Sequence, residues 1–86
     1  MNDDEIYDVV VETLTEIAPE VEETGLAPEQ PLRSQVDLDS MDWLNFLIGL
    51  RKALDVEIPE QDYSRLVTPD DLVRYLHDRV ADRSDD

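Results

Sequence analysis

The sequence predicts an all-α protein: a small four-helix bundle of three longer helices, one short helix and a long first connection. Three observations predict it. Apolar residues recur at helical spacing in three separate stretches, the prolines fall at or between their boundaries, and no stretch alternates apolar with polar residues as a strand would. The run Val9-Val10-Val11 is β-branched but sits inside a helical period. With 86 residues the chain has room for one domain, residues 1–86, and a modest core.

The first helix is expected over about residues 3–17. Asn2 or Asp3 can cap it, and Ile6, Val9, Val10, Leu14 and Ile17 form its apolar stripe. Pro19 discourages continuation. A connection of about 20 residues follows, punctuated by Gly25, Pro28 and Pro31, longer than the roughly 12–15 residues usual for a structureless loop. Leu26, Leu32 and Val36 can pin it to the core, so it reads as ordered.

The second helix is predicted from Ser40 to about Asp55, with Trp43, Phe46, Leu47, Leu50, Ala53 and Leu54 as its core stripe. Met41, Leu44 and Ile48 fall on another side. They either widen the buried face or form an exposed apolar strip for partners. Gly49 costs about 1 kcal/mol relative to Ala inside a helix, which a close helix neighbour or a partner would explain. A short helical turn is expected over about residues 60–66, with Tyr63 and Leu66 inward. Thr68 as cap, Pro69 at the first position and Asp70 and Asp71 in the first turn signal the last helix. Leu72, Val73, Leu76 and Val80 make its stripe, Arg74, Arg79 and Arg83 lie toward its negative end, and the tail over about 82–86 should fray.

Charge excludes whole classes of function. Twenty-three acidic residues against 7 basic give a formal net charge of -16, which repels nucleic acid and anionic membranes and favours basic partner surfaces. Residues 1–32 hold ten acids and no Lys or Arg. Their mutual repulsion should make stability sensitive to salt or divalent cations. Cysteine is absent, so any thiol chemistry must be imported. No apolar stretch approaches the roughly 18 residues that would span a bilayer, and no signal peptide is evident. A cytoplasmic monomer without membrane insertion is expected.

Few residues offer catalysis, and no catalytic or metal-ligating set is expected. His77 stands among Asp78 and Arg74 and reads as a surface residue. Asp37 and Asp39 suggest a calcium loop only superficially, since Met41 breaks the alternation and the loop's glycine and terminal glutamate are missing. The chain's two glycines form no phosphate cradle.

The most informative motif is Asp39-Ser40-Met41-Asp42, where a polar loop becomes a helix. Ser40 reads as the N-cap, and Asp39 and Asp42 suit the positive end of the dipole. Together with the amphipathic first helix, the loop carrying Leu26 and Leu32, the helix ending at Leu54, Ile58-Pro59 and Thr68-Pro69-Asp70-Asp71-Leu72, this motif resembles the acyl carrier protein family over about residues 4–80. The resemblance implies that Ser40 receives 4′-phosphopantetheine from coenzyme A through a phosphopantetheinyl transferase, with Asp39 and Met41 flanking the attachment point. It implies a carrier rather than an enzyme, a phosphoprotein of fatty acid biosynthesis or wider lipid metabolism. Asp42, Leu44, Asn45, Ile48, Arg51 and Lys52 would then face the acyl-loading, acyl-transfer or condensing enzymes, with Met41, Leu44 and Ile48 facing partners or the entrance to the acyl pocket.

Two departures stand out. Asp37 occupies a place where the family often has glycine. Asn45, Arg51 and Lys52 stand where fatty-acid carriers usually present acids to basic patches on their enzymes. From residue 40 to 55 two acids balance two bases, which points away from general fatty-acid synthesis toward a dedicated lipid or secondary-metabolite pathway. Fatty acyl, hydroxyacyl, polyketide and aminoacyl cargo all stay open. The alternatives are an unmodified interaction module with the carrier fold, disfavoured by the intact motif, and the housekeeping carrier. A domain excised from a synthase is disfavoured by Met1 and the free-looking termini.

Overall fold

The computed structural model describes residues 2–21 and 25–84, with side chains as far as residue 81. Its elements in chain order are α1 (Asp3–Ile17), α2 (Leu32–Gln35), α3 (Ser40–Leu54), a 3-10 helix (Glu60–Arg65) and α4 (Pro69–Ser84). The described residues contain no strand. The all-α expectation therefore holds, with three long helices and shorter pieces between them.

Local chemistry sets each boundary. Asn2 starts α1 through a capping box: its Oδ1 accepts from Glu5 N at 2.9 Å, and Glu5 Oε1 accepts from Asn2 N at 3.1 Å. Thr68 and Asp71 repeat the device on α4, at 3.0 Å and 3.1 Å, with Pro69 fully buried as the first helical residue. At the end of α3, Asp55 adopts a left-handed conformation at φ 54° and ψ 51°, which its short polar side chain tolerates better than a branched one. The amide of Val56 then reaches back to Arg51 O at 3.2 Å, turning the chain off the helix axis.

The core lies where α1 packs against both α4 and α3. Ile6, Val10 and Leu14 of α1 meet Phe46, Leu47 and Leu50 of α3 and Leu72 and Leu76 of α4, all fully buried. Each such side chain contributes about 1.5–3 kcal/mol by leaving water. Val9, Ile17, Tyr63 and Val73 are half-buried at the margin of this core. Ala53 corrects the predicted stripe: it is exposed. At about 100° per residue it sits roughly 80° from Trp43 around the helix, at the stripe's edge.

The long first connection is ordered where described. Leu32 and Val36 are buried and Leu26 is half-buried against the core. Ala18 and Val21, which the helical period did not mark, are buried too. Two backbone bonds fasten the connection to the entry of α4: Leu32 N donates to Val67 O at 2.8 Å, and Asp70 N donates to Pro28 O at 3.1 Å. The Gln35 side chain closes the turn before α2, donating to Ala27 O at 2.7 Å and Gln30 O at 2.9 Å.

The anticipated short helix is a 3-10 helix with no buried residue, and one side-chain cluster holds it down. Asp62 accepts from the Tyr75 hydroxyl at 2.6 Å and from Arg79 Nη2 at 3.1 Å, while the Arg79 guanidinium lies 4.9 Å from the centre of the Tyr75 ring. Burial first, and the bond to the Asp62 carboxylate second, push the Tyr75 hydroxyl's pKa up. His77 is a surface residue as expected, but its neighbour is Asp3, whose Oδ1 lies 2.7 Å from His77 Nδ1. The backbone of α4 stays helical through Ser84, past the expected start of fraying at Asp82, while residues 85–86 and the Arg83 side chain lie outside what is described.

Candidate functional site

The candidate site is the entry of α3, and one hydrogen bond there overturns an expectation. Asp39, not Ser40, is the N-cap: its Oδ1 accepts from Asp42 N at 2.8 Å, and its backbone is extended at φ -81° and ψ -177°. Both residue types cap well, but the one whose backbone stays extended before the helix takes the role. Ser40 is thereby the first helical residue. Its Oγ is exposed and has no hydrogen-bond partner among the described residues.

That displacement frees the hydroxyl for chemistry. The amides of Ser40 and Met41 also lack acceptors among the described residues, because the first intrahelical bond runs from Trp43 N to Asp39 O at 2.9 Å. An exposed hydroxyl, two open N–H groups and the positive end of a fifteen-residue helix sit together. This arrangement fits a phosphodiester on Ser40. The ester oxygen would be Ser40 Oγ, and the open amides suit the phosphate charge.

Beside Ser40 the helix carries an apolar strip open to water. Met41 is 73% exposed, Leu44 44% and Ile48 39%, so these residues do not widen the buried face. Asn45, Arg51 and Lys52 are exposed and Asp42 is half-buried. All the expected site residues from Asp39 to Lys52 thus share α3 or its cap, with Ser40 at one end and the two bases at the other.

Sequence reading missed three parts. Arg33 of α2 lies 5.9 Å from the centre of the Trp43 ring, one turn from Ser40, and donates to Leu38 O at 3.4 Å. Val67 is 46% exposed and helps line a cleft of about 200 Å³ with Pro31, Arg33, Trp43, Tyr63 and Leu66. At the far end of α3, Ile48, Arg51, Lys52, Asp55, Val56 and Glu57 line a groove of about 330 Å³. Only the Trp beside an Arg-bearing loop could have signalled any of these. The rest depends on how the loops fold back.

Comparison with known proteins agrees with this geometry. A family model described as the phosphopantetheine attachment site matches residues 8–76, a span that contains Ser40. The acyl carrier protein of Campylobacter fetus subsp. fetus is 32% identical over 73 residues, covering 85% of this chain and 88% of that protein. Those of Campylobacter lari and Wolinella succinogenes are 33% and 32% identical over the same length, covering 88% and 90% of the relatives.

Proposed function

We propose that this chain, which belongs to the acyl carrier protein family and so carries the family's 4′-phosphopantetheine group, bears that arm on Ser40 and serves a dedicated pathway. The observation that carries the reading is the free Ser40 hydroxyl at the first position of α3, released because Asp39 does the capping. In the transfer, Ser40 Oγ forms a new bond to the phosphorus that bears the pantetheine in coenzyme A. The pyrophosphate bond breaks, the nucleotide bisphosphate leaves, and the hydroxyl proton passes to a base on the transferase. Once bound, the arm supplies a thiol that holds acyl groups as thioesters, in a chain with no cysteine of its own.

The chain's residues hold and present that group. The open amides of Ser40 and Met41 and the helix dipole favour the phosphate charge. Met41, Leu44 and Ile48 offer apolar contact to a transferase and to the enzymes that load, transfer or condense the cargo. A dedicated pathway is supported by α3 itself, whose single acid Asp42 stands against Arg51 and Lys52 in a chain of net charge -16.

Intact mass after incubation with coenzyme A and a promiscuous phosphopantetheinyl transferase tests the attachment. Gain of one phosphopantetheine by the wild type and none by Ser40→Ala is the expected result. No gain by the wild type would favour the unmodified interaction module, and gain by the alanine variant would move the site elsewhere.

A further inference from the structure

We propose that the outer face of α1 binds a basic amphipathic helix of a partner protein. That helix lays an apolar ridge between two rows of α1 side chains and sets its Lys and Arg against the acidic row. The face is on a different helix from Ser40 and does not rest on that assignment. Shape, wall chemistry and charge carry it.

Tyr7, Val11 and Thr15 form one row at four-residue spacing, and Asp8, Glu12 and Glu16 form the next. Together they line a groove of about 510 Å³, and no other element contributes to it among the described residues. Furrows between neighbouring four-residue rows are what a second helix fills with a ridge of its own. The first wall is largely apolar. Tyr7 is half-buried, Val11 is half-buried against the core, and the Thr15 hydroxyl is spent inside its own helix, donating to Val11 O at 2.7 Å. The Tyr7 hydroxyl has no partner among the described residues and stands open to an incoming polar group.

The second wall holds three carboxylates and no base. Asp8, Glu12 and Glu16 are exposed and form no ion pair or hydrogen bond among the described residues. Nothing on α1 offsets them, whereas α3 carries Arg51 and Lys52 and α4 carries Arg74, Arg79 and Arg83. Glu12 lies roughly 160° around the helix from the buried Val10, so the row faces away from the core.

These walls select among occupants. The α1 backbone along the groove is closed on itself, so an extended segment would find no N–H or C=O to pair with. A helix arrives with its backbone already satisfied. Its Lys or Arg at four-residue spacing recur about every 6 Å, matching the acidic row. A second copy meeting through α1 would set six acids against six, and anionic lipid would meet the same repulsion.

The probe is a stapled helical peptide of about 15 residues with Leu in one four-residue row and Lys in the next. A control peptide has Glu in place of Lys. Fluorescence anisotropy measures binding to the intact chain, and amide shifts locate it. The Lys peptide should bind, shift the amides of Tyr7 to Glu16 more than those of α3, and weaken with salt, and the Glu peptide should not bind. Asp8→Asn/Glu12→Gln/Glu16→Gln should weaken binding about tenfold, as the loss of three exposed charge pairs implies. Asp37→Asn/Glu57→Gln/Glu60→Gln removes equal charge from other exposed positions and should change binding less than about twofold. Tyr7→Ser should weaken it at unchanged net charge. Equal losses from the two charge variants would reduce the attraction to net charge alone and overturn the proposal. So would indifference to Tyr7→Ser, shifts centred on α3, no binding of the Lys peptide, dimers of the chain that bury Tyr7 and Glu12, or tighter binding to phosphatidylglycerol vesicles than to the peptide.

Discussion

Thr13 Cγ2 lies 2.8 Å from where a Cβ on Gly49 would stand, so α1 and α3 cross at a point where only a hydrogen fits. The glycine that looked expensive inside a helix is explained by its neighbour. Gly49→Ala would gain about 1 kcal/mol of helix propensity and lose about 1–3 kcal/mol to overpacking against a buried threonine. The net expectation is destabilisation by up to about 2 kcal/mol in denaturant melts. Thr13→Ser removes the offending methyl, so Thr13→Ser/Gly49→Ala should recover most of that loss. A double variant no more stable than Gly49→Ala would dismiss this contact as the reason for the glycine.

The exchange of roles between Asp39 and Ser40 makes opposite demands on the two residues. Ser40→Ala should leave stability within about 0.5 kcal/mol of the wild type, since no cap bond is lost. Asp39→Ala removes the bond to Asp42 N and should cost about 1 kcal/mol, while Asp39→Asn keeps it and should cost little. Urea midpoints of the three variants measure this directly. A larger loss for Ser40→Ala than for Asp39→Ala would restore Ser40 as the cap.

The Tyr75 hydroxyl titrates above its usual 10.0, raised by burial and by the Asp62 carboxylate. The sign follows from linkage. The folded state holds the proton more tightly than the unfolded chain, so the stabilisation is complete below pH 10.0 and is lost as pH rises through the folded pKa. Thermal melts should fall in alkali beyond pH 10.0, and Tyr75→Phe should flatten that part of the fall. The same variant should loosen the 3-10 helix at neutral pH, read as faster amide exchange at Asp62. An alkaline limb identical in both proteins would remove Tyr75 from the account.

Repulsion along α1 gives a fourth expectation. The helix carries Asp3, Asp4, Glu5, Asp8, Glu12 and Glu16, and no base. Raising ionic strength from low to moderate should therefore raise the melting temperature, with millimolar divalent cations acting in the same direction. A flat or falling melting temperature over that range would contradict it.

Most of the fold was legible because it rests on period and punctuation. Ile6, Val10 and Leu14 announce the buried side of α1, and Thr68-Pro69-Asp70-Asp71 writes the start of α4 into four letters. At the candidate site the start of a helix was legible, but not which residue caps it. Asp39 and Ser40 are both good caps, and the choice between them is made by the backbone entering α3 rather than by side-chain type. Residues distant in sequence escaped for the same reason. Nothing local pairs Asp62 with Tyr75, sets Gly49 against Thr13, or folds Leu32–Gln35 into a helix of its own. Ala53 shows the limit of the period itself, where a small residue at the margin of a stripe has no size to reveal its side.

The two backbone bonds that tie Leu32 to Val67 and Pro28 to Asp70 have a mechanical consequence. They close residues 28–70 into a clasped segment, with Ser40 inside it and the core beneath. An enzyme that draws on an arm at Ser40 pulls on a length of chain fastened at both ends. The load passes into Leu32, Leu72 and the helix packing rather than peeling the long connection away. The amides of Leu32 and Asp70 are the rivets, and their hydrogen exchange would show whether the clasp stays shut while cargo is handed over.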